Sequence, residues 1–408
     1  MKRRTVAVAS TLAVLIAVLA VGQSKLQASM AARLVDAPKF EVDPFWPKPL
    51  PNHWLLGMTI GVGVDSRDHV FIVHRGNATL NQRTEVGADA NPPIAECCRA
   101  APPVLEFDPD GNLVKAWGGP EAGHDWPISN HGIAIDHKDN VWIGGNGTCS
   151  DSIARAGSCS VVGSEDSFVL KFSHDGKFLM EIGEPNQRRN SASMTSFGRV
   201  AKISFDTKAN EAYFSDGYGN KRVAVVDMDN GQIKRFWGAY GNTPSDSNYG
   251  RYIPDAPLIP QFRNPVHCAE PSNDGLVYVC DRPNDRIQVF QKDGKFVKEV
   301  RVFPKTLGDG SVWDIAFSRD PQQKYIYLAD GKNERVYIMD RQSLEILTQF
   351  GDGGRQPGQF FGVHSIATDS KGNIYTTETY EGKRLQKFVY KGLGPVAAMN
   401  QGVLWPKR

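Results

Sequence analysis

Six times along this chain the same short pattern returns: an alternating or apolar run, a turn rich in Gly, Asn and Asp, then a second β-rich run. The copies begin at Ile60 (IGVGVDSRDHVFIVHRG), His131 (HGIAIDHKDNVWIGGNG), Ala201, His267, Trp313 and His364. Period-two alternation around a turn reads as a β-hairpin. Most copies continue into a third strand and polar turn (VLEFDPDGN, VLKFSHDGK, RIQVFQKDG). A short fourth strand follows, ending in an aromatic or Ile plus Gly (KAWGG, MEIGE, KRFWG, LTQFG). One such unit cannot bury its apolar face alone, so the repeats must pack on one another. Four strands per unit and six units predict an all-β, six-bladed β-propeller around a central channel. Two packed sandwiches would leave the six-fold repeat unexplained.

The first three units are widened by Gly/Pro/Ser-rich insertions at about Gly76–Pro102, Gly144–Glu165 and Ala239–Arg263, which read as surface loops. The sixth unit stops after RLQKFVYKG, one strand short. PKFEVDPFW near the N-terminus is placed to supply that outer strand, and closing the ring would remove exposed sheet edges. The propeller is thus expected over 38–395, with a C-terminal tail over 396–408. Residues 1–30 read as a signal peptide, with a basic MKRR start, an apolar run and small residues for cleavage; an uncleaved anchor is the alternative. No later run is long enough to span a bilayer.

Export predicts a periplasmic or secreted protein, where cysteines pair. Of the six, Cys149 and Cys159 close a short loop and Cys268 and Cys280 flank a hairpin turn, so both pairs are candidate disulfides, with free thiols as the alternative. The formal charge of +2 includes Lys2, Arg3 and Arg4; without them it is about −1, which argues against a nucleic-acid partner. A membrane partner is expected only if the leader stays uncleaved.

In a propeller the first strand of each blade lines the channel, so the six starting residues form a ring. Histidine occupies blades two, four and six: His131, His267 and His364. With nine histidines in 408 residues, three in six equivalent slots, alternately placed, exceeds chance. Three imidazoles pointing inward suit a catalytic Zn²⁺ with an open position, though imidazole also serves other divalent transition metals. Second strands run back toward the same face, and there end Arg75, Tyr218 and Arg282. Two arginines and a tyrosine beside a metal can bind a carboxylate and move a proton. The competing reading pairs the arginines with local acids such as Asp281 and leaves Tyr218 on the rim. His74, His124, His137 and His174 fall in turns or at strand ends and are expected to be solvated, His74 being worth watching beside Arg75.

Together HRG at His74, HGIAID at His131, DGYGN at Asp216, DRPNDRIQVF after His267 and VHSIATDSKGNIY at Val363 resemble NHL-repeat propellers. Within these they resemble the peptidyl-α-hydroxyglycine α-amidating lyases. The resemblance covers about Phe40 to Gly392. It implies zinc on His131, His267 and His364, Tyr218 as base, Arg75 and Arg282 in the active site, and a substrate carbinolamide split into an amide and glyoxylate. The family's structural calcium uses an aspartate after its last zinc histidine. Ser365 stands there in this chain, which argues against that calcium.

The leading expectation is a secreted zinc-dependent carbon–nitrogen lyase acting on a small-molecule or peptide-derived substrate. A metal-dependent, lactonase-like hydrolase on the same site is a second reading, with Asp216, Asp281 or Glu378 as candidate bases. A non-catalytic periplasmic propeller binding a protein or glycan is a third.

Overall fold

A computed structural model describes residues 33–406, apart from 121–123, 151–158, 160 and 188. The leader assigned to residues 1–30 lies outside the described residues. The chain forms a six-bladed β-propeller of four-stranded antiparallel blades. Blade one is built from Thr59–Val64, Val70–His74, Val104–Phe107 and Leu113–Trp117. The innermost strands of blades two to six are Asn130–Ile135, Val200–Asp206, Val266–Pro271, Asp314–Phe317 and Val363–Thr368.

The last blade closes as the sequence led us to expect. Leu34–Asp43 pairs antiparallel with Leu385–Ala397 as the outer strand of blade six, so the two ends of the chain share one sheet. The boundaries are wider than expected. The N-terminal strand begins at Leu34, and the tail is part of the propeller: Val42 N–H donates to the Leu404 carbonyl and Gly351 N–H to that of Gly402.

Packing between blades explains why the ring holds. The second strands carry an aromatic at one repeated position, Phe71, Trp142, Tyr213, Tyr278, Tyr327 and Tyr375, and all six are buried. Apolar clusters join each blade to its neighbour, and the N-terminal Phe40 and Val42 pack into the one that links blades five and six. Each fully buried side chain of this size contributes about 1.5–3 kcal/mol, so the N-terminal strand latches the ring by packing as well as by hydrogen bonds.

Three disulfides are present: Cys149–Cys159, Cys268–Cys280 and the adjacent pair Cys97–Cys98, the last not foreseen from the sequence. Cys268 and Cys280 face each other directly across the first two strands of blade four. Among the described residues no helix is long and apolar enough to cross a membrane.

Candidate metal centre

The inner strands do not pair regularly at their starts. Ladder register shifts at His131–Gly132 in blade two, at His267 in blade four and at His364 in blade six. Bulges of this kind turn a side chain out of the alternation that a flat strand would impose. Here they aim three buried imidazoles at one another, with ring centroids 4.9–5.2 Å apart. One ligand nitrogen from each lies within 4.8 Å of the other two.

Carbonyls from the other three blades fix the rings. His131 Nδ1 is 2.6 Å from the Ala201 carbonyl, and His364 Nδ1 is 2.7 Å from that of Ile60. His267 Nδ1 makes the same contact with the Trp313 carbonyl. A carbonyl only accepts, so each Nδ1 carries the proton and each Nε2 keeps its lone pair free for a ligand. Ile60, Ala201 and Trp313 are the starting residues of blades one, three and five. Gly132 permits the close approach: a Cβ there would lie 2.8 Å from the Ala201 oxygen.

Burial lowers the proton affinity of all three histidines, assisted by the charge of Arg282 and, for His131 and His364, of Arg75; His364 is pushed down to about 3. Three neutral imidazoles with preset tautomers are a donor set that fits a zinc-like ion with a remaining open side. The Tyr218 hydroxyl stands on that side, 2.8 Å from His131 Nε2 and 3.1 Å from His267 Nε2. Arg282 Nη1 is 3.5 Å from the same hydroxyl, and its guanidinium lies 4.5 Å from the Trp313 ring centroid.

Arg75 reaches the same surroundings from blade one. Its Nε donates to the Asn130 carbonyl at 3.1 Å and its Nη2 to Asn146 Oδ1 at 2.8 Å, and burial lowers its proton affinity. Neither arginine takes Asp281, which instead pairs with Arg286 at 2.7 Å. Arg282 has only a 3.6 Å contact with the half-exposed Asp309, and its buried Nε has no hydrogen-bond partner among the described residues.

Carboxylates considered as hydrolytic bases are tied up elsewhere. Asp216 binds Arg222 at 2.8 Å, Asp281 binds Arg286, and Glu378 binds Arg384 at 2.9 Å. Each acid ends a second strand and holds an arginine at or just before the start of the third, a structural device repeated in three blades.

The minor histidines divide. His137 is exposed in its turn as expected. His74, set apart from the other three beside Arg75, is fully buried: its Nδ1 accepts from the Gly57 and Gly76 amides at 3.1 Å, and Nε2 donates to the Pro102 carbonyl. His124 stacks on Phe178. His174 meets Asp65 at 3.2 Å and Glu106 at 3.5 Å, a second group able to hold an ion, but the Arg67 guanidinium already lies on all three.

Below the histidines the channel holds Lys202, which nothing in the local sequence singles out. Its ammonium is 2.5 Å from Asp314 Oδ1, 2.6 Å from Glu270 Oε1 and 3.2 Å from the Ile315 carbonyl. Asp314 Oδ2 accepts from Ser365 Oγ at 2.7 Å. Burial disfavours the ammonium, but the two carboxylates more than offset this and raise its proton affinity. These residues do not fit a structural calcium. A fixed cation already neutralises the carboxylates, and the serine that replaces the expected aspartate donates a hydrogen bond to one of them.

No protein-family model matches the chain. Its curated relatives are distant. It is 24% identical over 322 residues to NHL repeat-containing protein 3 of Mus musculus, covering 77% of this chain and 71% of that one. It is 24% identical over 341 residues to peptidyl-glycine alpha-amidating monooxygenase B of Xenopus laevis, covering 80% of this chain. It spans 33% of that protein's length. Among solved structures, the streptogramin B lyase structure matches with a TM-score of 0.47 at 10% identity, over 87% of this chain and 98% of that one.

Proposed function

We propose that this chain is a secreted, zinc-dependent lyase that cleaves the C–N bond of a carbinolamide, R–CO–NH–CH(OH)–COO⁻, to an amide and glyoxylate. One observation carries the reading: a tyrosine hydroxyl lies within hydrogen-bond distance of two of three tautomer-fixed histidines, with two arginines beside it, while Asp216, Asp281 and Glu378 are each bound to an arginine of their own blade. The likeness to amidating monooxygenases supports the same chemistry. Three disulfides support an oxidising compartment.

The Nε2 atoms of His131, His267 and His364 would hold a zinc ion, which would supply Lewis-acid polarisation of the substrate hydroxyl. Arg75 and Arg282 bind the carboxylate and hold the reacting carbon toward the channel axis. Tyr218 takes the hydroxyl proton and returns it to the amide nitrogen as the C–N bond breaks, so the proton lost from oxygen leaves on the product amide.

Two measurements on the purified chain test this. Metal analysis is expected to give one zinc per chain, lost on His131→Ala; stoichiometric metal surviving that change sinks the three-histidine site. With metal loaded, α-hydroxyhippurate is expected to release glyoxylate. No release would leave the metal site standing and remove the lyase assignment.

A further inference from the structure

The face on which the histidines open carries a second concavity. It is a cavity of about 470 Å³ between the loop that joins blades three and four and the turns beside Tyr218 and Arg282. That volume is in the range of small-molecule sites, about 300–1,000 Å³. Its lining is chemically one-sided. Lys221, Arg251 and Arg263 contribute three cationic side chains, and no Asp or Glu is among the lining residues. Tyr249, Tyr252 and Phe262 add aromatic surface, and Tyr249 remains 43% exposed.

This cavity is joined to the metal centre through the backbone. Asn264 in its wall donates to the Gly217 and Asn220 carbonyls at 2.7 Å, on both sides of Tyr218. Pro283, also in the wall, follows Arg282 directly. Gly308 lines it too, and the next residue, Asp309, meets both Arg282 and the Tyr380 hydroxyl. Arg263 is held in place by Asn284 at 2.8 Å and by carbonyls of the 249–250 turn, so the wall is braced rather than loose.

We propose that this cavity is the binding subsite for the acyl part of the substrate, and that it selects an acyl group bearing both a negative charge and an aromatic or branched apolar body. The inference rests on the lyase reading for which end of the substrate enters, but the subsite itself does not need turnover. Arginine pairs favourably with a carboxylate, and aromatic walls bury the apolar body beside it.

Product-like amides test it directly. Titration calorimetry would compare acetyl-Glu-Phe-amide with its uncharged isostere acetyl-Gln-Phe-amide on the metal-loaded full chain. The acidic amide is expected to bind roughly two- to fivefold tighter, as a partly exposed charge pair allows, with the gap closing at high salt. Arg251→Glu should abolish the preference by weakening the acidic amide more than the uncharged one; Arg251 is exposed, so its replacement spares the fold. Equal binding of the two amides, or a preference untouched by Arg251→Glu, overturns the subsite. Glyoxylate release without any acidic preference would remove the subsite and keep the lyase. Acidic preference without glyoxylate release would do the reverse.

Discussion

Replacing Lys202 by Met tests the channel most severely, because it removes one charge and little volume. Asp314 and Glu270 then lose an ammonium at 2.5 and 2.6 Å, and the Asp314 side chain is only 2% exposed. Stripping one partner from a buried ion pair costs about 3–5 kcal/mol. The orphaned carboxylate can escape that penalty by binding a proton, which sets a ceiling. Protonating a group of ordinary pKa about 3.9 at about pH 7 costs about 4 kcal/mol, at 1.36 kcal/mol per unit. Glu270 is 16% exposed and keeps its hydrogen bond from Ser204, which softens its share. The expected loss is therefore about 3–4 kcal/mol at neutral pH.

The pH dependence gives the stricter check. In the variant the folded state retains a proton that the unfolded chain has released above about pH 4, so its stability rises as pH falls from about 7 toward 5. The gap to the parent should shrink to about 1–2 kcal/mol at about pH 5. Urea unfolding followed by tryptophan fluorescence at both pH values measures this, with an unchanged m-value confirming that the same surface is exposed. A loss under about 1 kcal/mol at neutral pH, or one of equal size at both, would refute the role assigned to Lys202. Lys202→Ala, which also opens space, should gain thermal stability from added Ca²⁺ while the parent does not.

Tyr218→Phe should lower kcat by about 10²- to 10⁴-fold with KM little changed, the signature of a lost proton carrier; steady-state glyoxylate assays decide it, and an unchanged kcat would remove the tyrosine from the mechanism. Gly132→Ala puts a methyl 2.8 Å from the oxygen that orients His131, so zinc affinity measured by chelator competition should fall about 10- to 100-fold. His74 is held neutral, its pKa lowered by burial to about 4 despite its bond to Pro102. The unfolded chain binds that proton first, so this contribution is present above about pH 6.5 and is lost as pH falls toward 4, about 3 kcal/mol in all. Urea titrations from about pH 7 to 4 should show a shallower decline in His74→Gln than in the parent, and identical slopes would exclude His74 as the source.

Much of this architecture is legible before any coordinates, and the reason is periodicity. Six hairpins with period-two alternation admit few closed arrangements, and a sixth unit lacking one strand leaves PKFEVDPFW as its natural partner. The histidines stand out because equivalent positions can be compared within one chain. What stays hidden depends on long-range contact. A bulge at His267 has no local signature, since VHCAE reads as an ordinary strand. Lys202, in AKISF, looks like a solvent-facing lysine until Asp314 and Glu270 arrive from other blades to surround it. His74 reads as a strand end, and it is enclosed only when Gly57 and Pro102 fold against it from either side in sequence. The cationic cavity is equally invisible, because Lys221, Arg251 and Arg263 belong to turns whose meeting is set by blades three and four together.

The metal centre follows from how a six-fold scaffold divides its resources. Each inner strand brings one residue to the axis, and that residue offers a side chain and a carbonyl. Even blades use the side chain, a histidine; odd blades use the carbonyl, which holds the neighbouring histidine's Nδ1–H. Three ligands and three orienting groups thus come from six equivalent positions, and no residue serves both tasks. The odd side chains are then free for other work. Trp313 carries the guanidinium of Arg282 on its face, while Lys202, one step beyond Ala201, sits in the channel below. A buried ammonium there neutralises the two carboxylates from within the chain, and it leaves the imidazoles above it as the group able to hold a metal ion.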